Sequence, residues 1–142
     1  MSAENEVVVR RFFEEFCNGR RLEIADEIIA PDWRLNEPHS PPASGIEGAI
    51  ATVSLYQETV DGRWEIKEML SAGDKVVTRW VGHGVHNAEL MGIPPTGREI
   101  HVDAITIHRI ENGKIAEHTG VWDAFTMLQQ LGVVEAPAAT SA

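Results

Sequence analysis

The hydrophobic patterning of this chain predicts an α+β fold, with helices first and a curved antiparallel sheet after them. Apolar residues recur at helical spacing as far as Val60, and from Arg63 the period changes to two. Asn112-Gly113, between two runs rich in β-branched residues, is the strongest short-range hairpin signal. A type I′ turn needs positive φ at both of its central positions. An apolar-periodic segment closed by Gly132 then predicts a short C-terminal helix.

The elements follow in order. Glu4 and Glu6 lie in a first turn where the helix dipole favours acids, and Val9, Phe12, Phe13 and Phe16 repeat at helical spacing until Asn18-Gly19. Leu22, Ala25, Ile28 and Ile29 mark a second helix ending before Pro31, and Trp33–Asn36 reads as a short strand. Glu37–Gly45 contains Pro38, Pro41 and Pro42 and must be a loop. Ile46, Ala49, Ile50, Val53, Tyr56 and Val60 give a third amphipathic helix, ended by Asp61-Gly62. Trp64–Leu70 and Val76–His86 read as strands about the turn Ala72–Lys75, with Gly82 and Gly84 marking a bend or bulge. Asn87–Gly97 is a connection, Ile100–Ile110 and Ile115–Trp122 form the hairpin, and Ala124–Leu131 is the last helix. A single domain over residues 1–134 is expected, with 135–142 a disordered small-residue tail.

At 142 residues the chain has room for one core and one enclosed pocket. Its net charge of −10 and pI of about 5.0 would repel phosphate backbones and anionic membranes. No basic stripe interleaved with aromatics offsets this, so neither nucleic acid nor membrane is an expected partner. Cys17 is the only cysteine, which leaves no disulfide framework and no cysteine-based metal site. Among Phe12, Phe13 and Phe16 it reads as a small buried thiol. The opening Met1-Ser2-Ala3-Glu4 lacks a basic segment and apolar run, and no apolar run reaches about 18 residues. The expectation is a cytoplasmic protein.

Three stretches carry a resemblance. Gly92-Ile93-Pro94-Pro95-Thr96-Gly97-Arg98, the run Arg109-Ile110-Glu111-Asn112-Gly113-Lys114-Ile115-Ala116-Glu117-His118, and Gln129-Gln130-Leu131-Gly132 are similar to the SnoaL-like polyketide cyclase (ester cyclase) family. With the helical start and the Gly-bent strand, the similarity covers about residues 5–133. It implies the cone-shaped α+β fold shared with nuclear transport factor two, ketosteroid isomerases and limonene-epoxide hydrolases. The pocket would then lie between the helices and the concave sheet face. It also implies an intramolecular aldol condensation without metal or organic cofactor. A base removes a proton α to a carbonyl, and the enolate attacks a second carbonyl. In those cyclases the last strand often reads Glu-His-Trp-Asp, the Asp serving as acid/base. Here it reads Glu117-His118-Thr119-Gly120, so that role does not carry over.

Strand parity sorts what remains. His118, Gly120 and Trp122 share one face, and Ala104, Thr106 and His108 share another. Parity alone leaves open which faces turn inward; similarity to the ketosteroid isomerases turns these toward the cavity. His118 and His108 are then candidate acid/base groups, since an imidazole accepts or donates a proton near neutral pH. Asp123 follows at the strand-to-helix junction. It is a candidate N-cap and equally a candidate carboxylate that orients His118 or acts as base.

Trp33, Trp80 and Trp122 suit a flat polycyclic ligand, with Thr106 and Tyr56 as polar lining. Asn36, His39 in the Pro-rich loop, His86 and the adaptable Met91 complete the candidate substrate contacts. No metal is expected. His83 and His86 are three apart on a strand and face opposite ways, and His101 with Asp103 lacks a third ligand.

The leading expectation is a cofactor-free cyclase acting on a carbonyl-rich apolar small molecule. The alternatives are a SnoaL-like hydroxylase served by a separate reductase, and a non-catalytic ligand-binding dimer module. A homodimer is expected in each case, because Ile105, Ile107 and Val121 would otherwise lie exposed on the outer sheet face.

Overall fold

A computed structural model describes residues 2–38 and 40–135. His39 and the expected tail beyond 135 lie outside the described residues. Helix α1 (Ser2–Arg11) continues into a π-helical turn over Phe12–Asn18, whose wider backbone keeps Phe12, Phe13, Phe16 and Cys17 all buried. A 3₁₀ turn (Leu22–Ile24) and the one-turn helix α2 (Ala25–Ile28) follow. Ile29 already belongs to strand β1 (Ile29–Asn36) rather than to the helix, and Ala30, directly before Pro31, is held to extended backbone. Helix α3 spans Gly45–Val60 and ends at Asp61, whose φ is 49°.

Four strands complete the sheet: β2 (Arg63–Ala72), β3 (Lys75–Val85), β4 (Glu99–Glu111) and β5 (Lys114–Trp122), followed by helix α4 (Ala124–Gln130). Their order is β1-β5-β4-β3-β2. The hairpins β2–β3, β3–β4 and β4–β5 are antiparallel. Asn112 and Gly113, at φ 52° and 75°, close the last of them with the expected turn. At the far edge β1 pairs parallel to β5, so the sheet is mixed rather than wholly antiparallel. No hairpin links these two strands, and nothing local fixes their relative direction. Pro31 is tolerated there because an edge strand leaves one row of backbone donors unpaired.

The inner face of β4 carries Ile100, Val102, Ala104, Thr106, His108 and Ile110, all buried, while the alternate residues face outward. His118 and Gly120 of β5 face the same way as this row. Two apolar clusters form on this concave side. One joins the phenylalanines of the π turn to Trp33, Val53 and Trp80, and the other joins Val60, Ile100 and Val102 to Met127 and Leu131. Gly84 lets α3 close onto β3, since a Cβ there would stand 2.4 Å from the Val60 carbonyl oxygen. Among the described residues no helix is long and apolar enough to cross a membrane.

Candidate active site

Between the two clusters lies a partly open cavity with walls from the π turn, β1, α3, the sheet and α4. The void is about 80 Å³, room for several water molecules. Its walls are mostly aromatic and aliphatic, with Phe12, Phe13, Trp33, Trp64, Trp80 and Trp122 supplying flat surfaces. Exposed Arg63 and half-buried His83 stand where the wall meets solvent.

One polar chain enters this apolar wall. His108 and His118 are cross-strand partners on β4 and β5, and His108 Nε2 lies 3.0 Å from His118 Nδ1. On its other side His118 Nε2 lies 2.9 Å from Glu37 Oε2. The Ser40 hydroxyl donates to Glu37 Oε1 at 2.9 Å. Leu35 of β1 pairs with His118, so the parallel register delivers the loop that begins at Glu37 directly over that imidazole. Phe12 packs edge-on to both rings, with centroids 5.1 Å from His108 and 5.9 Å from His118.

The electrostatics follow from burial and these bonds. Burial alone would raise the Glu37 carboxyl. The hydrogen bond and charge of His118, with the Ser40 hydroxyl, overcome this and hold it below the ordinary carboxylate value. Burial pushes His108 well below an ordinary imidazole, and the neighbouring His118 adds to that. Burial also raises the Tyr56 phenol, and the negative charge of Glu37 adds to it. An ionised carboxylate can only accept, which fixes one hydrogen role in the chain. His118 donates from Nε2 to the carboxylate, and its Nδ1 shares one hydrogen with His108 Nε2. His108 Nδ1 is buried with no hydrogen-bond partner among the described residues.

The structure brings together His118, Trp33, Tyr56, Trp80 and Trp122 in the cavity wall. His108 lies behind His118, fully buried. Thr106 is buried beneath Trp80 and accepts its indole N–H at 2.9 Å. The other sequence candidates lie elsewhere. Asp123 is exposed; Oδ1 accepts the Thr126 backbone N–H at 3.0 Å, and Oδ2 accepts the Thr126 hydroxyl at 2.6 Å. It therefore caps α4 outside the cavity wall. Asn36 is exposed and donates to Thr119. His86 is buried away from the cavity, where Nδ1 accepts the Thr96 backbone N–H and holds the loop after β3. Met91 is exposed on that loop, at φ 52°.

Glu37 is the residue that sequence reasoning missed. It was legible only as the first residue of a Pro-rich loop, and its one local cue is Ser40, three residues on. Gly120 is explained by space: a Cβ there would meet the Ile105 carbonyl oxygen at 2.9 Å and Thr106 Oγ1 at 3.0 Å. The Thr106–Trp80 bond occupies the room a larger side chain would need. Among the described residues no three His, Cys, Asp or Glu side chains converge as metal ligands.

Comparison with known proteins gives this geometry a context. The family model of SnoaL-like polyketide cyclases matches residues 7–131. Aklanonic acid methyl ester cyclase DnrD of Streptomyces peucetius is 31% identical over 130 residues, covering 88% of each chain. Nogalonic acid methyl ester cyclase of Streptomyces nogalater is 30% identical over 121 residues, covering 81% of this chain and 88% of its own. The crystal structure of IdmH from Streptomyces antibioticus superimposes with a TM-score of 0.76 at 33% identity, over 91% of this chain and 99% of that one. The cone-shaped fold and the match along most of its length make this chain a member of the SnoaL-like polyketide cyclase family.

Proposed function

We propose that this protein closes a ring in a flat, carbonyl-rich polyketide-like molecule by an aldol-type reaction that needs no cofactor. The single observation that carries the reading is the Glu37–His118–His108 chain set into an otherwise apolar, Trp-rich cavity. An ionised carboxylate bonded to an imidazole is proton-transfer equipment, and the aromatic walls suit a conjugated substrate. Such a substrate delocalises its own carbanion, so base, donor and shape suffice. The Trp33 indole N–H, buried with no acceptor among the described residues, is a donor available to a substrate carbonyl. The void is smaller than a multi-ring ligand, so binding of such a ligand requires its walls to part.

The relatives' names supply the first probes, the methyl esters of aklanonic and nogalonic acids. Mass spectrometry after incubation is expected to show an isomer of unchanged mass. A product heavier by one oxygen, formed only with a reductant and reductase, overturns the reading in favour of a hydroxylase. Tight binding without turnover makes the protein a ligand-binding module.

The proposal includes a homodimer through the outer sheet face, where Ile105 and Val121 are cross-strand partners and both exposed. Sedimentation at micromolar concentration is expected to give twice the chain mass, and Val121→Lys to give the monomer. A monomeric wild type sinks this part of the reading.

A further inference from the structure

We infer that Glu37, a loop carboxylate, is the group that takes the proton from the substrate, and that His118 and His108 position it. The inference rests on the cyclase reading above and names the proton acceptor within it. Both nitrogens of His118 are engaged, Nδ1 with His108 and Nε2 with Glu37. In this arrangement neither imidazole turns a free lone pair to the cavity. Among the described residues Glu37 is the only carboxylate in the cavity wall. An ionised carboxylate has about four acceptor positions, of which His118 and Ser40 use two. The remaining positions are open to a C–H bond placed beside it.

The groups that face Glu37 come from four elements: His118 of β5 with His108 of β4 behind it, Tyr56 of α3, and Ser40 of its own loop. None carries a fixed positive charge, so the carboxylate is held by hydrogen bonds. A carboxylate that stays ionised is a weak base. It is nonetheless adequate for a carbon acid between carbonyls, as the Asp base of ketosteroid isomerase, with a pKa of about 4.6, demonstrates.

The step balances without any co-reactant. The C–H bond breaks, the proton passes to a Glu37 oxygen, and the electron pair enters the enolate. The enolate carbon bonds to the second carbonyl carbon. The oxygen of that carbonyl becomes an alkoxide and takes the proton back from Glu37. The product is an isomer of the substrate and the enzyme is regenerated.

The test compares wild type with Glu37→Gln, Glu37→Asp and His118→Gln, using the methyl esters of aklanonic and nogalonic acids as probes. Turnover and exchange of the activated C–H for deuterium are read between about pH 5 and about pH 8, and ester binding is read by tryptophan fluorescence. Glu37→Gln is expected to lose turnover and exchange on the order of 10³-fold while binding the ester nearly as before. His118→Gln keeps an N–H donor for Glu37 and is expected to lose only about tenfold. Glu37→Asp, which keeps a titrating group, is expected to fall between them and guards against misfolding of the amide variant. The wild-type profile is expected to be flat across that pH range.

An acid limb near the ordinary imidazole value of about 6.5 that vanishes in His118→Gln overturns the inference, as does a Glu37→Gln enzyme within tenfold of wild type. Wild type inert toward both esters overturns the cyclase reading, and the inference falls with it.

Discussion

His108 and His118 sit directly opposite each other on β4 and β5, joined edge to edge at 3.0 Å between Nε2 and Nδ1. The pair is asymmetric. His118 reaches the cavity and a carboxylate, whereas His108 is sealed behind Phe12 and Phe13, its other nitrogen unpartnered among the described residues. Burial therefore keeps His108 neutral in the folded state, well below its unfolded value of about 6.5.

The sign of the resulting pH dependence is determined. As pH falls below about 6.5 the unfolded chain takes up a proton at this histidine and the folded chain does not, so stability falls. His108 is expected to contribute a slope approaching about 1.4 kcal/mol per pH unit below that point. Urea unfolding across that range is expected to show a shallower acid slope in His108→Leu. Equal slopes in the two proteins would mean that His108 does not stay neutral.

Thr106 has one structural task, accepting the buried indole N–H of Trp80. Thr106→Val keeps the shape and removes the acceptor, leaving a buried donor unpaired. A loss of about 1–3 kcal/mol is expected in chemical unfolding, together with a changed near-ultraviolet dichroism of Trp80. No loss would mean that the indole finds another acceptor.

Gly120 is expected to resist even the smallest substitution. Its missing Cβ would approach the Ile105 carbonyl oxygen, a backbone atom fixed in the sheet, to 2.9 Å. Gly120→Ala is expected to cost about 1–3 kcal/mol by overpacking, and Gly120→Asp to be less stable still without gaining turnover. Thermal unfolding of the two variants beside wild type decides this.

Asp123 illustrates a carboxylate whose chemistry is local. Both its oxygens are committed to Thr126, so Asp123→Ala is expected to lose about 1 kcal/mol of stability as a helix cap. Asn also caps well, and Asp123→Asn is expected to stay close to wild type in both stability and turnover. Abolished turnover in a folded Asp123→Asn protein would return this residue to the catalytic group.

Most of the fold was legible because it is local. Period-two patterning located β2 to β5 and the Asn112-Gly113 turn fixed one hairpin, while the inward facing of His108 and His118 came from the family resemblance. The direction of β1 was not legible, since its partner β5 lies far along the chain and no turn connects them. Glu37 was hidden for the same reason: a loop acid becomes a site residue only when a strand of the opposite sheet edge lays it against His118. The aromatic lining was readable from residue type and phasing at Trp33, Trp80 and Trp122. Residue type alone placed Met91 and His86 at the cavity too, where the fold of the 87–97 connection leads them away from it.

The parallel pairing of β1 with β5 also has a kinetic consequence. Glu37 and His118 are 81 residues apart in sequence, and their meeting waits on an edge strand whose partner belongs to the final hairpin. Closing so long a loop costs conformational entropy before the contact repays it. A meander formed without β1 would hold both histidines in register and lack the carboxylate. The proposed Glu37–His118–His108 site therefore depends on the long-range β1–β5 pairing as well as on the hairpin that aligns the two rings.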